Sequence, residues 1–446
     1  MSPKLPSPPR AEKRPSVHRQ HGRERQDPYA WLRDDNWQEV MRRPEVLRQD
    51  VRDHLEAENA YLEAVMADTG ELQQALFEEL KGRIKEDDSS VPAPDGAWSY
   101  YQRFETGGEH PVICRRPREG GAEQVLYDAN AAARGESYFK LAGAEHSPEH
   151  ARLITAVDVK GSEYFTAEIR DLESGETLPD RLENTDGHLI WGNDGQTLYY
   201  TVLDDNHRPW RVYRHRLGTD PASDALIYEE KDPGFFVGLG KTESHRFVLI
   251  QAHDHTTAEA WLVDADDPEA EARLVAARER DVEYHVAHHG ERLIVLTNAD
   301  GAEDFKLAEA PLEAPGRENW RDLVAHQPGR LIVSLLVFQG HLVRLERVDG
   351  LPRITVEDLA SGESHAIAFE EAAYSLAIVP GYEFDTRTLR FVYSSLTTPA
   401  QTYDYDMETR ERRLLKEQEV PSGHDPEDYR AERLLARSHD GAEVPV

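Results

Sequence analysis

The chain has 446 residues, a formal net charge of −33 from 85 acidic against 52 basic side chains, and one cysteine. That length exceeds one ordinary core unless the core is a barrel or a ring of repeats. The charge repels nucleic acid and anionic lipid, and it suits a cationic ligand or simply a solvated surface. Cys114 alone allows neither an internal disulfide framework nor a multi-cysteine zinc site, and it fits a reducing, cytoplasmic compartment.

Residues 1–26 carry seven basic and two acidic side chains and four prolines in the first nine positions. They hold no apolar h-region, which excludes a secretory signal and predicts an extended arm. The turn-plus-aromatic block DPYAWLRDDN (27–36) would pin this arm. Pro44 and Gly70 bracket a predicted helix whose apolar stripe is Leu47, Val51, Leu55, Leu62 and Val65. A second helix over 71–85 places Leu72, Leu76 and Leu80 at helical spacing. Two helices cannot bury such stripes on each other alone, so a partner surface is expected elsewhere.

From Val91 to Val420 the pattern is short strands rich in β-branched and aromatic residues. IRDLESGE (169–176) returns as VEDLASGE (356–363), with Asp171 and Asp358 187 residues apart, close to four times 47. Periods of that size mark propeller blades. Equivalent turns fall near Arg116, Asp171, Arg216, Asp264, Ala310, Asp358 and Asp406. Seven such units of four strands predict a mainly β chain, a seven-bladed β-propeller preceded by an N-terminal helical arm. The expected boundaries are 1–85 for the arm, 86–420 for the propeller, and 421–446 for a linker and the first strands of a further domain. The longest apolar run, LIVSLLVF (331–338), is far too short to cross a membrane.

Motifs that carry chemistry are missing. A nucleophile elbow needs Gly-x-Ser-x-Gly, and the nearest strings, around Ser137 and Ser364, lack the second glycine. No P-loop, dinucleotide fingerprint or His-Glu-x-x-His occurs, and no cofactor is expected. The tight histidine clusters His253–His255 and His288–His289 read as surface-loop residues, so no metal site is expected. Tyr199, Tyr200, Phe235, Phe236 and Phe391 read as packing between blades. Glu136, in the ARGESYF loop, is the candidate carboxylate for binding a cationic peptide.

Longer strings carry a resemblance. DPYAWLRDD (27–35), LYDANAAARGESYFKLAG (126–143), IYEEKDPGFFVGLGKT (227–242), FVYSSLTTP (391–399) and DMETRERRLLKEQEVP (406–421) resemble the oligopeptidase B group of the prolyl oligopeptidase family of serine peptidases. The likeness runs from about Pro9 to Val446. It implies an α/β-hydrolase domain with a Ser-Asp-His triad, capped by a propeller that admits only short peptides and cleaving after Arg or Lys. The helical arm would then wrap the hydrolase domain. The triad would belong to a C-terminal domain of which this chain holds only the first strands, so no catalytic residue is expected here and the chain alone is expected to be inactive. Its expected partners are short basic peptides and that C-terminal domain, with neither nucleic acid nor membrane. A free-standing propeller acting as a binding module is the alternative, and a sugar hydrolase or lyase with its site in the tunnel is a third reading.

Overall fold

The computed structural model describes residues 6–446, which fall into two units, 6–84 and 85–446. The first five residues of the expected arm lie outside the described residues.

In the first unit, residues 17–26 are a hairpin of strands Val17–Gln20 and Arg23–Gln26, not an open extended arm. His21 and Gly22 sit at positive φ and make its turn. The WLRDD block then acts as a clasp. The Trp31 indole donates to Glu12 O at 2.8 Å, and the Arg14 guanidinium lies 4.0 Å over its ring. Arg48 donates to Trp31 O at 2.6 Å, and buried Asp34 accepts from the Arg48 backbone N–H at 2.8 Å. Arg48 and Arg14 both bond to Asp50, holding that carboxyl well below the usual range.

The clasp launches three helices, α1 (Trp37–Arg42), α2 (Gln49–Met66) and α3 (Gly70–Lys81). Gly70 does not stop a helix as expected. Its φ is −56°, it opens α3, and a 3₁₀ turn over Ala67–Thr69 bridges it to α2. Within this unit only Val51 of the α2 stripe is buried, and Leu55, Leu62, Leu72, Leu76, Phe77 and Leu80 are exposed.

The second unit is a series of antiparallel meanders. Five four-stranded sheets span 93–128, 236–276, 284–324, 330–366 and 375–417, and one seven-stranded sheet spans 140–229. The expected count of seven blades is thus corrected to five. The third-to-outer turns lie where the repeat places them, but one inter-unit break is absent. Thr177–Trp191 runs as a single 15-residue strand. Its first half pairs with Phe165–Asp171 and its second with Thr197–Leu203, changing partner across Thr185–Leu189. Gly187, at φ +93°, permits this passage, because a Cβ there would stand 2.5 Å from Ala142 Cβ. RLENTDG (181–187) therefore continues as strand, and two expected units share one strand.

The repeated SGE turn has a local cause. Asp171 Oδ1 accepts from the Ser174 backbone N–H at 2.8 Å and from its hydroxyl at 2.9 Å, with Gly175 at φ +75°. Asp358, Ser361 and Gly362 repeat the arrangement. An aspartate that bonds its own turn and a glycine in the left-handed region close the chain between two strands.

Core clusters lie between sheets as well as within them. Phe247, Ala260 and Leu262 of one blade pack with Tyr284, Leu293 and Val295 of the next. The Tyr284 hydroxyl donates to Ala276 O at 2.5 Å and accepts from Ala260 N–H at 2.8 Å, so one blade's ring is anchored in its neighbour's backbone. Tyr199, Tyr200, Phe235 and Phe391 are buried as expected of packing aromatics, whereas Phe236 is 42% exposed. Cys114 is fully buried, and burial pushes its thiol up to about 11.

A charged triplet lies within the fused sheet. His215, fully buried, bonds Asp180 at 2.9 Å and Asp224 at 2.8 Å, and the Tyr200 hydroxyl caps Asp224 at 2.8 Å. Burial disfavours the imidazolium, but the two carboxylates outweigh it and raise the His215 pKa. Because the folded pKa exceeds the unfolded one, this stabilisation is complete below about pH 6.5 and is lost as pH rises through the folded value. Stability measured by urea unfolding should therefore decline on raising the pH above neutrality. His215→Gln should flatten that decline and cost about 3 kcal/mol at pH 6; an unchanged pH profile would contradict the assignment.

Candidate functional site: the two ends of the ring

In each sheet the first strand enters from one end of the ring and turns at the other. The chain itself enters through 85–92 and leaves after Glu417 at the entry end, because four antiparallel strands return to their starting side. Turns between first and second strands gather at the far end: Asp95-Gly96, 147–151, 192–196, 242–246, His289-Gly290 and Gln339-Gly340. In the last blade this turn is a longer loop, 380–387.

That loop reaches all the other sheets. Tyr382 O accepts from His245 Nε2 at 2.6 Å, and Gln339 N–H donates to Phe384 O at 3.0 Å. Phe384 meets the His289 ring at 6.2 Å, and Glu383 pairs with Arg118 at 2.5 Å. Tyr382 packs edge-on against His146 at 4.9 Å, and burial raises its hydroxyl pKa. A loop bonded to residues all round the ring caps its far end.

Beneath Tyr382, three polar side chains from two sheets converge. Asp95 ends the strand Ala93–Asp95, and His146 ends Lys140–His146. His150 occupies the next turn at φ +61°. Asp95 Oδ2 and His146 Nε2 are 2.7 Å apart, and the Tyr100 hydroxyl meets His150 Nδ1 at 2.8 Å. The Tyr100 ring stacks on His146 at 3.7 Å and 6°. One ligand atom from each of Asp95, His146 and His150 lies within 4.8 Å of the other two. Burial pushes the Asp95 carboxyl up, but the His146 hydrogen bond and the neighbouring imidazoles outweigh it and hold the carboxyl low. Burial lowers the His150 pKa, favouring the neutral ring.

This convergence was hidden from sequence reasoning, because its members are 51 and 4 residues apart and only the sheet geometry unites them. The histidines noticed in the sequence behave differently. His253 and His255 are exposed, but His288 is buried within Tyr284–His289 and bonds Ser244 Oγ at 2.8 Å, so it is not a surface-loop residue.

Glu136 lies at the opposite, entry end. Helix α4 (Ala129–Ala132), capped by Asp128 on Ala131 N–H at 3.0 Å, turns the chain after the first blade. Glu136 follows it, exposed, with its N–H on Ala133 O at 3.1 Å. Glu371 occupies the corresponding connection before the last blade, and the sequence reading missed it. Its carboxylate accepts hydroxyls of Tyr393 at 2.6 Å, Thr397 at 3.0 Å and Thr398 at 2.7 Å. Burial alone would raise its pKa, but the hydroxyls of Ser395, Tyr393, Thr398 and Thr397 hold it down to about 2. It is a fixed negative charge, met only by hydroxyls among the described residues. Ser137 and Ser364 are both exposed, one after a turn and one starting a short strand, and neither lies on a strand-to-helix elbow.

The meander of blades and the loop that caps its far end define a β-propeller. The model of the prolyl oligopeptidase N-terminal beta-propeller domain matches residues 8–418, and the chain belongs to the prolyl oligopeptidase family. More particularly, it resembles oligopeptidase B. The structure of oligopeptidase B from Leishmania major superposes with a TM-score of 0.91 at 30% identity, over 98% of this chain and 64% of that one. Dipeptidyl aminopeptidase BI of Pseudoxanthomonas mexicana is 38% identical over 99% of the chain and 62% of its own length. Protease 2 of Moraxella lacunata is 30% identical over 98% and 62% respectively. The chain thus spans less than two thirds of each relative. Among the described residues no helix is long and apolar enough to cross a membrane.

If Tyr382 fastens the cap, Tyr382→Ala should speed amide exchange at Gln339 and across 380–387 by at least about tenfold, with Thr388–Ser394 unchanged. Equal exchange in both proteins would show that the loop is held otherwise.

Proposed function

We propose that this chain is the non-catalytic, substrate-filtering part of an oligopeptidase B-like serine peptidase that cleaves short peptides after Arg or Lys in the cytoplasm. The observation that carries the reading is the family match over 8–418, in a chain that spans under two thirds of its relatives and contains no Gly-x-Ser-x-Gly. The acyl-transfer chemistry of such an enzyme needs a serine, a histidine base and an oxyanion hole, all assigned by this reading to a C-terminal α/β-hydrolase domain.

Two features support a filter. The 380–387 loop caps the far end, so a peptide approaching the catalytic side does so from the entry end or the edge. There Glu136 and Glu371 offer negative charge to a basic side chain, within a chain of net charge −33. The exposed apolar residues of α2 and α3, Leu55, Leu62, Leu72, Leu76, Phe77 and Leu80, suit burial against the hydrolase domain.

The purified chain should release no aminomethylcoumarin from an Arg-terminated peptide substrate; serine-inhibitor-sensitive turnover would refute the non-catalytic assignment. It should bind an Arg-containing tetrapeptide more weakly as ionic strength rises. Glu136→Gln and Glu371→Gln should each raise Kd by about 2- to 5-fold, and unchanged affinity would remove these carboxylates from the filter.

A further inference from the structure

We propose that Asp95, His146 and His150 form a site for a single divalent transition metal ion, of the zinc or cobalt(II) class, at the capped end of the ring. The donor set, two imidazoles and one carboxylate, is a borderline nitrogen–oxygen set of the kind such ions take, leaving a fourth position for water. It discriminates against magnesium and calcium, which prefer oxygen alone.

The site has the supports that metal ligands need. Tyr100 stacks on His146 and fixes its plane, while its hydroxyl meets His150 Nδ1, so one side chain orients both imidazoles. The two imidazole rings lie 5.4 Å apart and nearly parallel, at 19°. Gly96 leaves the room required, since a Cβ there would stand 3.2 Å from His150 Nε2. Donors on tetrahedral bonds of about 2.0–2.2 Å stand about 3.4 Å apart, so the Asp95–His146 pair, at 2.7 Å, opens slightly and His150, within 4.8 Å, moves in. Small ring rotations supply that.

The ion would be a staple. Asp95 belongs to the first blade and His146 and His150 to the seven-stranded sheet, so coordination joins two sheets that otherwise share no strand. Tyr382, from the last blade, leans on His146, which places the cap against the same ion. Occupancy would therefore stiffen both the first interface of the ring and its far-end cap.

The test is a cobalt(II) titration of the purified chain, followed by visible absorption and by thermal unfolding. One equivalent should bind saturably and raise Tm. His146→Ala and His150→Ala should each weaken binding by at least about tenfold, while His253→Ala, remote in sequence and exposed, should leave it unchanged. Asp95→Asn, nearly isosteric, guards against loss of fold; circular dichroism should match the parent while the cobalt-induced Tm rise disappears. Binding equally tight in the His146, His150 and Asp95 variants would overturn the proposal, as would the absence of a saturable equivalent in the parent chain.

Discussion

A ring of sheets has a first and a last member, and the closure between them must withstand the outward freedom of every other blade. Among the described residues no strand crosses the junction. All four strands of the first blade come from 93–128 and all four of the last from 375–417. Closure therefore falls to side chains. Arg390, held by Asp404 of its own blade at 2.8 Å, donates across the junction to Pro92 O at 2.9 Å. Lys416 pairs with Asp88 at 2.6 Å, and Arg118 with Glu383. A cavity of about 450 Å³ lies at this seam, lined by Arg118, Glu383, Arg390, Asp404, Phe338 and Leu415. A junction built from ion pairs is weaker than a shared ladder and can open locally without unfolding the blades.

The cap and the His–Asp cluster matter because of that seam. The 380–387 loop grows out of the last blade and bonds residues on the other sheets, while Tyr382 touches Tyr100 and His146 across the junction. The far end of the ring is thus tied where the ladder is absent. The entry end carries the hydroxyl-held carboxylate of Glu371 and is tied across the junction by the Lys416–Asp88 ion pair.

Much of this was legible in the sequence. The strands, the helical stripes and every third-to-outer turn follow from periodicity and from local chemistry, as the paired turns at Asp171 and Asp358 demonstrate. The number of blades was not legible, because RLENTDG has the composition of a loop and becomes strand only through ladder partners on both sides. Gly70 misled for the same reason: a helix-stop residue was overridden by the continuing chain. Glu136 was visible as a loop carboxylate, but Glu371 needed the Tyr393 hydroxyl of the strand Thr388–Ser394 and the hydroxyls of Thr397 and Thr398 to distinguish it. The Asp95, His146 and His150 cluster is a product of two neighbouring strand ends, and no spacing rule announces it.

The claim on which the account turns is that the ring closes through side chains at one seam. Hydrogen exchange of Arg390→Met measures this directly. Exchange should accelerate across 88–95 and in the strand Thr388–Ser394 while Leu293–Leu296 and Val248–Ile250, in interior blades, keep the parent's protection. Uniform loss of protection throughout the ring, or no change at the seam, would contradict it.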